Sequence, residues 1–169
     1  MEYIFEYKSP IGSIILTSDE TEITGLRFKG ESEAEVLSDK KYKETGAIKE
    51  AKRWLYIYFS GKNPGYIPAI NPKGTEFQKL VWKILIGIPY GKTTTYGEIA
   101  GKIAEIKNVS RMSTQAVGGA VGKNPIAIII LCHRVIGKKG KLTGYAYGID
   151  KKISLLAFEG ADMGKFFED

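Results

Sequence analysis

The chain has 169 residues, 43% apolar and 26% charged, the balance of an ordinary soluble globular protein with room for one large domain or two small ones. No apolar run nears the roughly 18 residues of a membrane span, acids stand near the N-terminus where a signal peptide would be basic, and a single cysteine excludes an internal disulfide and argues against a cysteine-based zinc site, so a cytoplasmic setting is expected. The net charge of +6 is uneven, with 10 Lys/Arg against 11 Asp/Glu in residues 1–72 and 15 against 8 in residues 73–169; a solvated basic surface is the plain explanation, and nucleic acid the commonest specific one.

Residues 2–8, 12–18 and 23–29 alternate or cluster apolar side chains as strands do, with turn signals between them. They predict a three-stranded antiparallel meander. Residues 31–45 are highly charged with little periodicity, and only a surface helix or loop is expected there. Apolar residues at 48, 51, 55 and 58 fit one face of a helix over 47–59, ended by Ser60-Gly61. The stretch 61–74 holds three prolines and three glycines. It is the predicted linker between an N-terminal scaffold domain, 1–72, and a second domain, 73–169.

Thr75-x-x-Gln78 is a capping box. Phe77, Leu80, Val81, Ile84, Leu85 and Ile88 follow at helical spacing, until Pro89-Tyr90-Gly91 stops the helix. A second box, Thr95-x-x-Glu98, opens a helix with Tyr96, Ile99, Ala100 and Ile103 on its apolar face. After a polar loop at 105–110, a third helix is predicted over 113–122. Its two central glycines, Gly118 and Gly119, cost roughly 1 kcal/mol each relative to alanine. Close helix packing, or close approach to a ligand backbone, would account for them. Two short helices joined by a loop in the basic half suggest a helix-turn-helix, with the third helix as recognition element.

Asn124-Pro125 then breaks the chain before I-A-I-I-I-L (126–131), which reads as a buried strand running into Cys132 and His133, the only cysteine and the only histidine. A cysteine after an apolar run is commonly an inert core residue. The neighbouring imidazole changes that reading, because it can lower a thiol's pKa and supply the reactive thiolate. In a regular strand the two side chains would point to opposite faces. Contact therefore needs a turn after Leu131 or a water between them, and a third group, a carboxylate, to orient the ring. A basic loop rich in glycine and tyrosine (137–148), a helix over 151–159 capped by Asp150, and a frayed tail (161–169) complete the expected order.

The segments P-Y-G-K-T-T-T-Y-G-E-I-A, Q-A-V-G-G-A-V-G-K-N-P, I-I-I-L-C-H-R-V-I-G and L-L-A-F-E-G occur in this order over about residues 75–160. Together they resemble the O6-alkylguanine-DNA alkyltransferases. The resemblance implies a two-domain α/β protein: an N-terminal ribonuclease-H-like layer of antiparallel sheet and helix, then a winged-helix/helix-turn-helix alkyltransferase domain. It implies a monomer without cofactor or metal that binds the minor groove of double-stranded DNA containing O6-alkylguanine, with O4-alkylthymine a candidate further substrate. Cys132 would be the acceptor thiol, His133 the imidazole drawing its proton through a water, Glu159 the carboxylate orienting that ring, and Asn124 the brace of the adjacent turn. Tyr96 would help rotate the target nucleotide and line the pocket with Tyr145 and Ala146, which face O6, while the carbonyls of Cys132 and Val135 read the guanine amino group. DNA contacts would fall on Thr95, Ser113, Gln115, Ala116, Gly118 and Gly119.

The chemistry suits these residue types. A carbon on O6 is a soft electrophile matched to a thiolate, and guanine leaves more easily if O6 accepts a hydrogen bond. A base inside a duplex must be flipped out at a few kcal/mol. Two positions depart from the family pattern: Leu131 stands where proline is usual, and Gln115 where an arginine usually fills the gap left by the flipped base. Competing readings are a non-catalytic lesion sensor of the same fold, which would lack the acceptor cysteine, and a winged-helix regulator or cysteine hydrolase. A hydrolase would need a second histidine, which the chain lacks.

Overall fold

The structure, a computed structural model, describes residues 1–30 and 41–168. The chain divides into two compact units, one formed by residues 1–73 and 125–129, the other by 74–124 and 130–169.

In the first unit, strands β1 (Tyr3–Ser9), β2 (Gly12–Ser18) and β3 (Ile23–Phe28) form the antiparallel meander that the apolar alternation predicts. A short β4 (Lys41–Tyr42) adds in parallel to β1, giving the order β3-β2-β1-β4. The helix-or-loop expectation for 31–45 falls largely on residues outside those described; its end supplies β4. Helix α1 (Gly46–Phe59) packs across β1, β2 and β3 through Ile48, Ala51 and Leu55, all fully buried. Thr45 caps it, accepting from the Ile48 amide, and its hydroxyl lies 2.7 Å from that of Ser18.

The outer edge of β3 is covered by two segments that do not follow the predicted layout. The supposed linker is tied down as far as Asn71: Ile23 donates to Ala69, and Asn71 donates back to Ile23. Further along, Leu26 donates to the Pro125 carbonyl and accepts from Ala127. Residues 125–129, predicted to lie in the second domain, therefore belong to the first unit. An open β3 edge would carry unpaired backbone groups, and these two short stretches satisfy them.

In the second unit, α2 (Glu76–Ile86) and α3 (Tyr96–Lys107) each begin with the predicted capping box, both reciprocal bonds present. Asn108 ends α3 in the left-handed conformation. The loop leads to Ser113, whose hydroxyl caps α4 (Thr114–Gly122). The three helices pack together, and the Trp82 indole donates to the Ala120 carbonyl at 2.9 Å. Strand β5 (Thr94–Thr95) pairs in parallel with β6 (Val135–Ile136). Helix α5 (Ile149–Phe158) starts at Gly148, with Asp150 in its first turn and not at the cap where the sequence placed it; the glycine's positive φ of 98° makes the entry. The tail does not fray through its length, since Phe167 bonds to Gly140 and Leu142 and bridges Lys141. Among the described residues, no helix is long and apolar enough to cross a membrane.

The predicted strand over 126–131 is the main correction. No regular strand forms: Ile126 pairs with Leu26 in an isolated bridge, and Ala127 and Ile130 are likewise single bridge residues. The chain then makes two three-residue turns: Ile129 donates to Ala127 around Ile128, at φ 69°, and Cys132 donates to Ile130 around Leu131. A positive φ on a β-branched residue is uncommon and strained. Continuous β-branched apolar sequence reads as strand, yet here it marks complete burial of a folded-back loop, every residue from 126 to 130 being inaccessible.

Candidate active site

The turn at Leu131 delivers residues Cys132–Arg134 as one turn of 3-10 helix, so Cys132 and His133 are not forced to opposite faces. All three are buried. The His133 Nε2 is hydrogen-bonded to Glu159, the residue that ends α5. The second Glu159 oxygen accepts from Arg134 Nε at 2.5 Å, while Arg134 Nη1 donates to the Ile88 carbonyl at 2.6 Å. The Arg134 guanidinium also lies over the Tyr90 ring, 5.6 Å from its centroid.

Electrostatics assigns the protonation states. Burial alone would raise the Glu159 carboxyl, but the His133 hydrogen bond and the charge and hydrogen bond of Arg134 hold it down, at about 2. It is a carboxylate at neutral pH and must accept from Nε2. Burial pushes His133 below the usual imidazole range against the pull of Glu159, so the ring is neutral with its lone pair on Nδ1. Burial raises the Cys132 thiol, opposed by the Asn124 hydrogen bond, the neighbouring Tyr145 and the charge of Lys152. The Asn124 amide donates to Sγ at 3.1 Å and to the Ile130 carbonyl at 2.8 Å, bridging the residues on either side of the Leu131 turn.

Cys132 opens onto a cavity of about 340 Å³. One wall comes from Tyr96 at the start of α3 and from Gly118, Val121 and Gly122 on α4; the other is residues 144–147, with Asn124 beside the sulfur. Tyr147 stands edge-on to Tyr145, ring centroids 5.5 Å apart. Thr143 donates its hydroxyl to the Tyr96 oxygen at 3.2 Å, joining the two walls.

Of the residues singled out from sequence, Cys132, Asn124, Tyr96, Tyr145, Ala146 and Gly118 line this cavity. His133 and Glu159 are buried and do not line it. Val135 is fully buried and does not line the cavity, and its carbonyl is engaged by the Lys152 ammonium at 2.5 Å. The Cys132 carbonyl likewise accepts from the Val135 amide. Thr95 and Ser113 serve as helix caps, and Gln115, Ala116 and Gly119 lie exposed on α4.

Two buried cations escaped the sequence reading. Arg134 follows the Cys-His pair directly. Lys152 sits three residues after Ile149 and three before Leu155, the spacing of the apolar face of α5, and that spacing was its signal. Among the described residues, no group of three or more His, Cys, Asp and Glu is arranged to hold a metal.

Comparison with known proteins adds a consistent pattern. Residues 3–64 match the family model described as 6-O-methylguanine DNA methyltransferase, ribonuclease-like domain, and residues 76–161 that of the DNA binding domain. The methylated-DNA–protein-cysteine methyltransferase of Methanosarcina acetivorans is 47% identical over 160 residues, covering 94% of this chain and 99% of its own. The namesake from Mycobacterium tuberculosis is 43% identical over 151 residues, covering 89% and 88%. A crystal structure of the M. tuberculosis O6-methylguanine methyltransferase superimposes with a TM-score of 0.81 at 40% identity, covering 94% of this chain and 93% of the other. The M. tuberculosis structure in complex with DNA gives 0.79 at 40% identity, covering 93% and 92%.

Proposed function

Because the chain belongs to the 6-O-methylguanine DNA methyltransferase family, we propose that it repairs DNA by taking an alkyl group from O6 of guanine onto Cys132, irreversibly and once per molecule. The observation that carries this reading is the placement of the single thiol on a base-sized cavity, next in the chain to a neutral imidazole bonded to a carboxylate.

The thiol proton passes through a water to Nδ1 of His133, whose other nitrogen is held by Glu159. The sulfur attacks the alkyl carbon, and the S–C bond forms as the C–O6 bond breaks. The electron pair leaves on guanine, which regains a proton to become the normal base. Tyr145, beside the thiol, and the backbone at Ala146 supply hydrogen bonding toward O6. A preorganised donor at the atom where charge develops is among the larger catalytic contributions. The product thioether is stable, and with no second histidine or cysteine the chain has no means of removing it. O4-alkylthymine offers the same C–O bond on a smaller base, and the cavity has room for it.

The duplex is approached from its minor groove by α4, and the damaged base turns past Tyr96 into the cavity. The two central glycines support this. A Cβ at Gly118 would meet only Tyr96 at 3.8 Å, an ordinary contact, and one at Gly119 would meet nothing. No packing within the protein requires either to lack a side chain, so close approach of a ligand backbone is the reading that accounts for them.

Incubation with duplex containing O6-methylguanine, followed by intact mass and peptide mapping, tests the assignment. One methyl group on Cys132 per protein, with no further turnover, is expected. Catalytic turnover, or methyl on another residue, overturns it.

A further inference from the structure

Helix α5 carries a lysine that none of the chemistry above uses. Lys152 is fully buried, an uncommon state for its residue type. Its Nζ donates to the Val135 carbonyl at 2.5 Å and to the Thr143 carbonyl at 3.3 Å. Among the described residues no carboxylate pairs with it, the nearby buried acid Glu159 being taken by His133 and Arg134. A buried ammonium satisfied only by neutral carbonyls leaves a positive charge uncompensated, and such charges are normally paired.

The bonds place that charge at the site. Val135 ends the turn that begins at Cys132, and Thr143 leads into the cavity wall at 144–147 while bonding Tyr96. We propose that Lys152 is a positioning residue for alkyl transfer: its ammonium ties the Cys132 turn to the facing cavity wall and is the counter-charge that lets Cys132 ionise within the buried site. This rests on Cys132 being the acceptor and gives the thiolate its partner.

The groups facing the pair are few. Cys132 lines the cavity beside Tyr145 of the loop and accepts from Asn124, just past the end of α4, and His133 is its neighbour on the turn. The charge of Lys152, held on the Val135 and Thr143 carbonyls, acts on Cys132 and His133, while Arg134 and Glu159 neutralise one another. Burial lowers the Lys152 ammonium to about 8 and a charged Cys132 raises it, while Lys152 in turn lowers the thiol. The two charges stabilise each other, and His133 is pushed toward its neutral, proton-accepting form by the same cation.

The test uses the full chain and its single cysteine. Carbamidomethylation by iodoacetamide, followed by intact mass from about pH 6 to about pH 10, brackets the ordinary thiol near 8.5. Lys152→Gln and Lys152→Met should raise the midpoint by one unit or more, a loss of at least about tenfold in rate near pH 7, the low end of what an adjacent opposite charge produces. Superimposable profiles in folded variants overturn the proposal, even if both variants melt at lower temperature. Should neither variant fold, side-chain NMR titration of Lys152 in the wild type decides. Capping Cys132 with methyl methanethiosulfonate, a neutral group, should lower the lysine's midpoint, and an unchanged midpoint overturns the proposal. Neither measurement involves DNA, so a failure to accept methyl from O6-methylguanine would count against the assigned reaction and leave the role of Lys152 separately decided.

Discussion

Replacing Glu159 by glutamine removes the charge that holds two buried cationic or proton-bearing groups in place. A carboxyl lowered from 4.5 to about 2, at 1.36 kcal/mol per unit, represents about 3 kcal/mol of stabilisation. Because this pKa is depressed on folding, the stabilisation is complete above pH 4.5 and is lost as pH falls toward about 2. Glutamine forfeits it at all pH values and also leaves the Arg134 guanidinium, 4% exposed, without its counter-charge. Breaking a buried pair from one side costs about 3–5 kcal/mol. Urea denaturation of Glu159→Gln and wild type at a series of pH values should show that gap, constant from neutral pH down to about 5 and closing below it. Alkyl transfer should slow strongly at neutral pH, where the thiol needs His133, and less at a pH where it ionises unaided. A stability gap that is the same at pH 3 and pH 6, or equal slowing of transfer at every pH, would refute the reasoning.

Other expectations follow from the described geometry. Cys132→Ala should abolish transfer and leave duplex affinity nearly unchanged by gel shift; a large loss of affinity would mean that the thiol shapes the binding surface. Gln115→Arg, on the exposed start of α4, should tighten duplex binding and steepen its salt dependence by up to about one phosphate equivalent. Gln115→Ala should slow transfer from duplex more than from free O6-benzylguanine, and equal effects on both would rule out a role in filling the base stack. Gly119→Ala should stabilise the helix by up to about 1 kcal/mol yet weaken duplex binding; unchanged binding would remove the argument for close approach. Gly140→Ala should destabilise by about 1–3 kcal/mol, since φ is 90° and the added Cβ would lie 2.1 Å from the Lys165 carbonyl; an unaltered urea midpoint would contradict that.

The elements that could be read in advance are those in which local chemistry and tertiary structure agree. The boxes at Thr75 and Thr95 satisfy helix-end amides from within four residues, and the meander shows its alternation directly. Cys132 and His133 stood out by being unique of their kind. What was hidden depends on distant partners. Nothing local in 126–131 distinguishes a buried strand from two tight turns, because both demand apolar side chains. The parallel addition of β4 and the pairing of Phe167 with Gly140 join residues far apart in sequence. Lys152 was passed over because lysines on helices usually face water, and its carbonyl partners are assembled only by the folded turn and loop.

The interleaving of the two units also bears on how the molecule is made. Residues 125–129 complete the edge of a sheet whose other strands are all within the first 42 residues. During synthesis the amino-terminal sheet therefore waits, with β3 lacking its last neighbour, until more than fifty further residues have left the ribosome. That stave arrives only three positions ahead of Cys132. A fragment cut at 73/74 would inherit the opposite fault: Ile126, Ile128 and Ile129, all inaccessible in the intact chain, with no sheet to receive them. Such a fragment would be sticky, and mixing it with the amino-terminal piece should restore solubility by complementation, the five-residue insert acting as the tenon.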